Sequence, residues 1–474
     1  MIKTHIIKAP HSHGWQTRDG LWLYPNHFNE ALRKFYTCKN VEKEILKRTG
    51  SRWQWAKLPD EFTHYQDMGN GIKVPLGIID NWDNFIANDT EYPDLEKPML
   101  FGVPLYAEQQ KEVDELMTSR VGLSFCPTAG GKSYMLLHMA AQLNKKTLIV
   151  VDSSQTFNEM CDKIFEFMNI IPTTIGGKAP SKKTKATQDE RITVCMLASL
   201  DKAENVYGTI LVDECDRSIS TDERQKVMLK FSPCFLYGFT GTLLIRNQEE
   251  TSFEQINAAG EKVKIRISKI MLFYFGNPTS NIVNKNFIPR FHRIRTGYKY
   301  YGDLDNNAEF TTMLTDISEN DERNKLIAET IDRTIGYSET HKGLVLVNRT
   351  EHALALQKYL KCKSYIILGE TSKEERKRIV TELEQNPNPC VLIGSAQILS
   401  RGFDCSVLQN LYLIYPCRFE SFVVQAVWRV LRRHEGKTMA NVYDLYDPLV
   451  PWLERQSRSR ITAYKRNYPK CLIG

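Results

Sequence analysis

No uninterrupted apolar run in this 474-residue chain approaches the ~20 residues needed to cross a bilayer, so a soluble protein is expected. None of the 11 cysteines has a partner at Cys-x-x-Cys spacing. Several of them, including Cys195, Cys215 and Cys234, sit in or beside apolar strand-like runs and read as buried thiols. An odd cysteine count without an N-terminal hydrophobic segment points to a reducing, cytoplasm-like compartment rather than secretion. Nor is there a compositional bias towards disorder, because hydrophobic residues make up 42% and charged residues 25% of the chain, ordinary values for globular proteins. The net charge of +7 permits a polyanionic partner without requiring one. Length alone predicts two to four domains, each with its own core.

What is present is more specific. The run Cys126-Pro127-Thr128-Ala129-Gly130-Gly131-Lys132-Ser133 is a small-residue turn ending in Gly-Lys-Ser. Such a turn lets backbone N–H groups wrap a triphosphate, its lysine neutralises the outer phosphates, and its serine hydroxyl ligates Mg²⁺. The strict formula wants glycine where Cys126 stands, but the tight turn falls at Gly130 and Gly131. About eighty residues later comes Leu211-Val212-Asp213-Glu214-Cys215-Asp216. After its apolar strand, Asp213 is placed to hold a metal and Glu214 to polarise an attacking water.

Residues 1–98 differ in texture: five of the seven tryptophans (Trp15, Trp22, Trp53, Trp55, Trp82) lie there, and no nucleotide motif does. A helix is expected over 37–50 and strands over 21–24 and 72–79, forming a small α+β unit with its own core. From Leu105 onward, strand-then-helix units repeat, with strands expected at 146–151, 192–197, 209–212 and 234–239. A second series follows at 343–347, 364–368, 390–393, 411–414 and 439–445. Such alternation builds parallel sheets with helices on both faces. The join is expected between about 245 and 290, where Asn247, the Asn277-Pro278 turn and scattered polar residues interrupt the pattern.

Two further runs complete an ordered series. Gly238-Phe239-Thr240-Gly241-Thr242 follows the acidic strand, and Gln425-Ala426-Val427-Trp428-Arg429-Val430-Leu431-Arg432-Arg433 lies late in the second series. In this order the chain resembles a superfamily 2 helicase over roughly residues 99–470. The Thr-Gly-Thr run and Asp152-Ser153-Ser154 place the resemblance on the DNA side of that superfamily. Residues 345–352, 369–376, 428–434 and 452–464 are similar to the UvsW-like helicases of tailed phages. The resemblance implies two tandem RecA-like parallel-sheet domains, 99–286 and 287–474, preceded by an α+β accessory domain, 1–98, that selects the DNA substrate.

The resemblance also implies roles for individual residues. Gln109 would read adenine. Thr128, Gly130, Gly131, Lys132 and Ser133 would cradle the triphosphate, and Ser133 and Asp213 would hold Mg²⁺. Glu214 would orient the water, while Thr240 and Thr242 would couple hydrolysis to movement. In Ser400-Arg401-Gly402-Phe403-Asp404, Asp404 would touch ribose and Gly402 the nucleic acid. Arg429 and Arg432 would be the finger pair, suited to it because a guanidinium stays charged and binds phosphoryl oxygens as a fork. The family usually has glycine where Trp428 stands, and the plain alternative for Trp428 is core filling.

Contacts to DNA are expected in loops after strands, where amides, hydroxyls and lysines meet phosphates. Ser153, Ser154, Gly176, Gly177 and Lys178 are the candidates, the last opening a basic loop with Lys182, Lys183 and Lys185, for which a merely solvated role is the alternative. Arg290, Arg293 and Arg295 read first as strand-edge charges. Tryptophans of the first hundred residues could stack on bases or build a core. The implied activity is ATP-dependent unwinding or branch migration of forks, D-loops, four-way junctions or single-stranded regions in replication, recombination and repair. A monomer is expected, without membrane, in the host cytoplasm if the chain is phage-encoded. The alternatives are a double-strand translocase of a restriction-type motor, against which no nuclease acid-lysine cluster is apparent, and an ATP-switched nucleic-acid-binding module.

Overall fold

The computed structural model describes residues 14–17, 20–50, 56–78, 85–86, 92–126, 130–177, 188–245, 247–256, 262–279, 289–302, 307–395, 405–417, 420–432, 434–468 and 471–473. The chain divides into two compact units, Met1–Val283 and Asn284–Gly474.

The first unit opens with β1 (Gly14–Thr17), β2 (Gly20–Leu23), α1 (Glu30–Phe35), β3 (Thr37–Lys39), α2 (Val41–Thr49), β4 (Glu61–Thr63), β5 (Gln66–Asp67), β6 (Ile72–Val74) and β7 (Phe85–Ile86). Five of these strands form a sheet in the order β5-β6-β2-β1-β7, and β3 pairs with β4. The helix expected over 37–50 starts late, because Asn40 caps it: its side chain accepts the Lys43 N–H at 3.0 Å, the usual service of asparagine at a helix start. Residues 37–39 pair as a strand instead. The strand expected over 72–79 stops at Val74. Pro75 has no N–H for the ladder, and a short 3-10 turn, Leu76–Ile78, follows.

A large sheet comes next, built from β8 (Val121–Phe125), β9 (Thr147–Val151), β10 (Pro172–Ile175), β11 (Asp189–Met196), β12 (Thr209–Asp213), β13 (Phe235–Thr240) and, beyond a β14–β15 hairpin (Glu250–Ile256, Lys262–Ser268), β16 (Pro278–Thr279). Its order is β10-β11-β9-β12-β13-β8-β16 and every pairing is parallel. Helices α3 (Ala107–Leu116), α4 (Lys132–Gln142), α5 (Ser154–Met168), α6 (Cys215–Ser218), α7 (Asp222–Met228) and α8 (Lys269–Phe275) accompany it. Strands such as β9 are buried along their whole length, as a sheet covered on both faces requires.

The 245–290 stretch, within which the two units divide, is not polar throughout. It contains α8, whose Ile270, Met271, Leu272, Phe273, Tyr274 and Phe275 are all buried. Asn277 and Pro278 do mark a break, but only after that helix. Among the described residues, the aromatic-rich N-terminal segment shares its core with the sheet that follows. Leu21, Leu23, Phe28, Leu32, Tyr36, Ile72 and Val74 form one continuous cluster with α8 and with one face of the large sheet. Phe273 stands 5.0 Å from the Phe35 ring and 5.4 Å from that of Tyr36, and Lys269 Nζ donates to the Thr37 carbonyl at 2.7 Å. Backbones meet where Gly77 faces Gly276: a Cβ on Gly77 would lie 2.5 Å from Gly276 N and from the Leu272 carbonyl oxygen. Trp53, Trp55 and Trp82 lie outside the described residues. Trp22 is half-buried beneath Lys73, whose Nζ is 5.7 Å from the ring.

The second unit carries β17 (Pro289–Arg295), α9 (Asn307–Glu319), α10 (Asp321–Ile335), β18 (Lys342–Val347), α11 (Thr350–Gln357), β19 (Lys363–Ile367), α12 (Lys373–Gln385), β20 (Cys390–Ser395), β21 (Asn410–Leu413), α13 (Glu420–Val430), β22 (Ala440–Tyr446), α14 (Pro451–Asn467) and β23 (Leu472–Ile473). Its seven strands order as β19-β20-β18-β21-β22-β17-β23, again all parallel. Buried clusters fill both faces. Two buried ion pairs pin helices to this sheet: Arg323 on α10 to Asp447 at 2.8 Å, and Arg460 on α14 to Asp444 at 2.6 Å. The fold is therefore two tandem RecA-like parallel-sheet layers preceded by a small α+β unit.

Candidate active site

Three parallel strands of the first unit end side by side. In the order β12-β13-β8, Asp213 pairs with Phe239 and Thr240 with Phe125. The loop after β8, the acids after β12 and the threonine closing β13 are thus gathered beyond the carboxyl ends of the strands, where parallel sheets bind their ligands.

The loop's exit is set by Gly131, which starts α4 in the left-handed region at φ 79°. A side chain there would be strained, and its Cβ would collide with the Gln109 amide. Gln109 is committed on both sides: Nε2 donates to the Gly130 carbonyl at 3.0 Å, and Oε1 accepts the Tyr106 N–H at 3.0 Å. Its helix is anchored beneath by buried Glu112, which accepts the hydroxyls of Ser124 on β8 at 2.5 Å and Thr279 on β16 at 2.7 Å. Cys126, where the loop formula wants glycine, is buried, and its N–H donates to the Thr240 carbonyl at 2.9 Å. Burial raises its thiol pKa well above the ordinary value, so it is inert packing. Thr128 lies outside the described residues. Ser133 is in the first turn of α4, whose N–H groups have no carbonyl behind them in the helix.

Lys132 is buried and bonds to Glu214 Oε1, with Asp213 Oδ1 at 3.7 Å. Burial works against its ammonium, but the carboxylates of Glu214 and Asp213 outweigh it and hold the pKa above the ordinary lysine value. Burial in turn raises the Asp213 pKa, with Lys132 pulling it back. Asp213 Oδ1 is buried and accepts no hydrogen bond among the described residues, an orphaned oxygen that suits a cation. Glu214 holds a left-handed backbone, φ 48°, uncommon for a side chain of this size and often found at functional sites.

Asp216 was not singled out by sequence reasoning, although it closes the Asp213-Glu214-Cys215-Asp216 run. Its Oδ1 accepts the Thr240 hydroxyl at 2.8 Å, while Thr240 Oγ1 accepts the Thr242 N–H at 2.9 Å. Thr240 and Thr242 are thereby tied to the acidic segment. Ser153 caps α5 by accepting the Thr156 N–H at 3.2 Å, and Ser154 is the first residue of that helix. Gly176 and Gly177 follow β10, packed against Ser199 and Phe157 respectively. Lys178, the loop lysines after it, Gly402 and Asp404 lie outside the described residues.

In the second unit, Arg429 is a buried residue of α13 and Arg432 stands just past that helix's end, half-buried. Trp428 packs into the core with its ring 6.5 Å from Tyr468. Arg293 stacks on Tyr446 at 3.9 Å and donates to Ser457 Oγ at 2.9 Å.

Residues 103–245 match the family described as "Type III restriction enzyme, res subunit", so the match spans the loop, the acids and Thr240 together. The "ATP-dependent DNA helicase uvsW" of Enterobacteria phage T4 is 26% identical over 362 residues, 72% of this chain and 68% of that protein. The chain is similar to the UvsW-like phage helicases. "Probable helicase D10" of Escherichia phage T5 is 25% identical over 428 residues, covering 87% of each chain. Among solved structures, the "ATP-dependent Type ISP restriction-modification enzyme LlaBIII bound to DNA" aligns with a TM-score of 0.54 at 13% identity, over 81% of this chain and 32% of that one, which bears on the fold alone. No helix among the described residues is long and apolar enough to cross a membrane.

Proposed function

We propose that the chain is an ATP-dependent DNA helicase or translocase that unwinds or branch-migrates forked and junction DNA in replication, recombination and repair. The observation that carries this reading is the buried Lys132 held between Glu214 and Asp213 at the mouth of a left-handed Gly131 turn. A buried lysine that faces two acids and opens a helix N-terminus is arranged to exchange a carboxylate for phosphate oxygens. Released from Lys132, Glu214 orients the attacking water. Ser133 and Asp213 would hold Mg²⁺, which would supply charge neutralisation for phosphoryl transfer. Gln109, together with Thr128, Gly130 and Gly131, would serve the nucleotide, and Asp404 would contact its ribose. Arg429 and Arg432 would stabilise charge that develops in the transition state. Thr240, through Asp216, couples the acids to the strand end, and so to movement.

Ser153, Ser154, Gly176, Gly177, Lys178 and Gly402 are proposed to face the DNA backbone, with residues 1–98 selecting the DNA structure ahead of motor domains at 99–286 and 287–474. A panel of forks, D-loops, four-way junctions and linear duplexes, assayed for ATP turnover and strand separation with ATP and with a non-hydrolysable analogue, tests the reading. ATP turnover that no DNA stimulates would overturn it. The restriction-family match over residues 103–245 favours one second reading, a double-strand translocase. Turnover stimulated by linear duplex without strand separation or branch migration would select it.

A further inference from the structure

The second unit contains a buried lysine that the reading above does not use. Lys437 is 5% exposed and follows a tight turn, in which its N–H donates to the His434 carbonyl at 3.2 Å and Gly436 takes the left-handed φ of 77°. This turn folds the chain back beneath the end of α13. There Lys437 Nζ donates to three main-chain carbonyls: Leu408 at 2.7 Å, Arg432 at 2.9 Å and Ser406 at 3.4 Å. Two of these belong to the segment directly after Asp404, and the third belongs to Arg432 itself. A buried ammonium is costly unless its donors are used, and here three hydrogen bonds go to main-chain carbonyls. Its spending on these carbonyls fixes backbone position, since carbonyls at a helix end otherwise lack partners.

We infer that Lys437 is the positioning residue for Arg432: by holding the Arg432 carbonyl and the 406–408 carbonyls on one ammonium, it sets where the guanidinium of Arg432 starts from. The inference rests on the proposed finger role of Arg432. Lys437 needs no contact with nucleotide. Among the described residues, the charged and titratable groups acting on it are Cys405 from the segment after Asp404, Arg432 itself, and Glu339, which binds Thr438 and Gln409. Burial pushes the Lys437 pKa down to about 7, with Arg432 acting in the same direction. A neutral amine has only two N–H groups for three carbonyls, so the clamp weakens as the proton leaves.

The test is a double-mutant cycle on the full chain, using Lys437→Met, Arg432→Ala and the pair, and reading ATP binding, DNA-stimulated kcat and thermal stability. Methionine keeps the aliphatic stem and removes the charge, and the thermal melt reads what the loss of the three bonds costs the fold. Lys437→Met is expected to leave nucleotide affinity within about twofold and to lower kcat by about 10²-fold, the scale of a displaced catalytic group. In the Arg432→Ala background the same change should cost nothing further. The Lys437→Met pH profile should also lose any fall in kcat above neutrality that the parent shows. Full, independent losses in the double variant, or a Lys437→Met kcat equal to the parent's, would overturn the inference. If Arg432→Ala itself leaves kcat unchanged, it is the finger assignment that fails. A Lys437→Arg variant guards against a folding artefact: it restores charge and donors, and recovery of kcat with it supports positioning, whereas no recovery at unchanged thermal stability counts against it.

Discussion

The Thr240 hydroxyl donates to Asp216 Oδ1 at 2.8 Å, a bond that joins the end of one central strand to the helix that follows the acid pair on the next. It makes a buried acid answerable to a strand terminus. Burial and then the nearby Glu214 raise the Asp216 pKa to about 7, with the Thr240 bond pulling it back.

A raised folded-state pKa means that the folded protein keeps a proton which the unfolded chain has released. The stability contributed by Asp216 is therefore complete below about pH 4 and is lost as pH rises through 7. In metal-free protein, Asp216→Asn should gain on the parent across that window, by up to a few kcal/mol on the order of 1.4 per pKa unit. Denaturant unfolding at pH 5 and pH 7.5 with chelator measures it. A parent-to-variant difference that does not change with pH would contradict the assignment.

Lys132→Ala should abolish ATP turnover without unfolding the first unit, because the ammonium serves neighbouring acids and not the apolar core. Steady-state hydrolysis alongside circular dichroism checks both halves. Turnover at the parent rate would remove the nucleotide site from this loop.

Glu214→Gln should bind nucleotide yet hydrolyse it ~10²–10⁴-fold more slowly, the usual cost of removing a water-orienting base. Losing Glu214's charge also frees Lys132, so affinity for the triphosphate should hold or rise. Equilibrium binding with a fluorescent analogue, set beside single-turnover hydrolysis, separates the two. Normal hydrolysis in this variant would assign the water to another residue.

Gly77→Ala should destabilise the first unit by about 1–3 kcal/mol, the typical cost of forcing a methyl into a packed interior, since its Cβ would lie 2.5 Å from main-chain atoms of Gly276 and Leu272. A chain beginning near residue 98 should be less stable still, because Phe273 and its neighbours on α8 lose the cover of Phe35 and Tyr36. Thermal melts of the Gly77→Ala protein and of the shortened chain against the parent decide this. Equal midpoints would show that the N-terminal sheet only rests on the helix.

The two parallel sheets were legible because buried parallel strands leave unbroken apolar runs, and the 209–212 and 390–393 segments do so. β10 and β16 were not, since Pro172–Ile175 and Pro278–Thr279 are short edge strands whose pattern is too brief to register. At the site, the loop and acid pair announced themselves by residue type and spacing. Gln109's double commitment, Asp216 and Lys437 did not: each acts through a partner distant in sequence, and a glutamine before a helix or a lysine after a turn has no local signature. Helix Lys269–Phe275 was hidden for the opposite reason. It is apolar on every side, so no periodicity separates it from a strand.

The shared core of Gly77 and Gly276 has a temporal side. On the ribosome, the N-terminal strands emerge roughly 190 residues before the helix that completes their packing, which at about 5–20 residues per second is a wait on the order of ten to forty seconds. Through that interval Phe28, Tyr36 and Ile72 have no lasting place to go. The strands made ahead of this helix therefore settle only once it has followed them, and they stay open to chaperones and proteases in between.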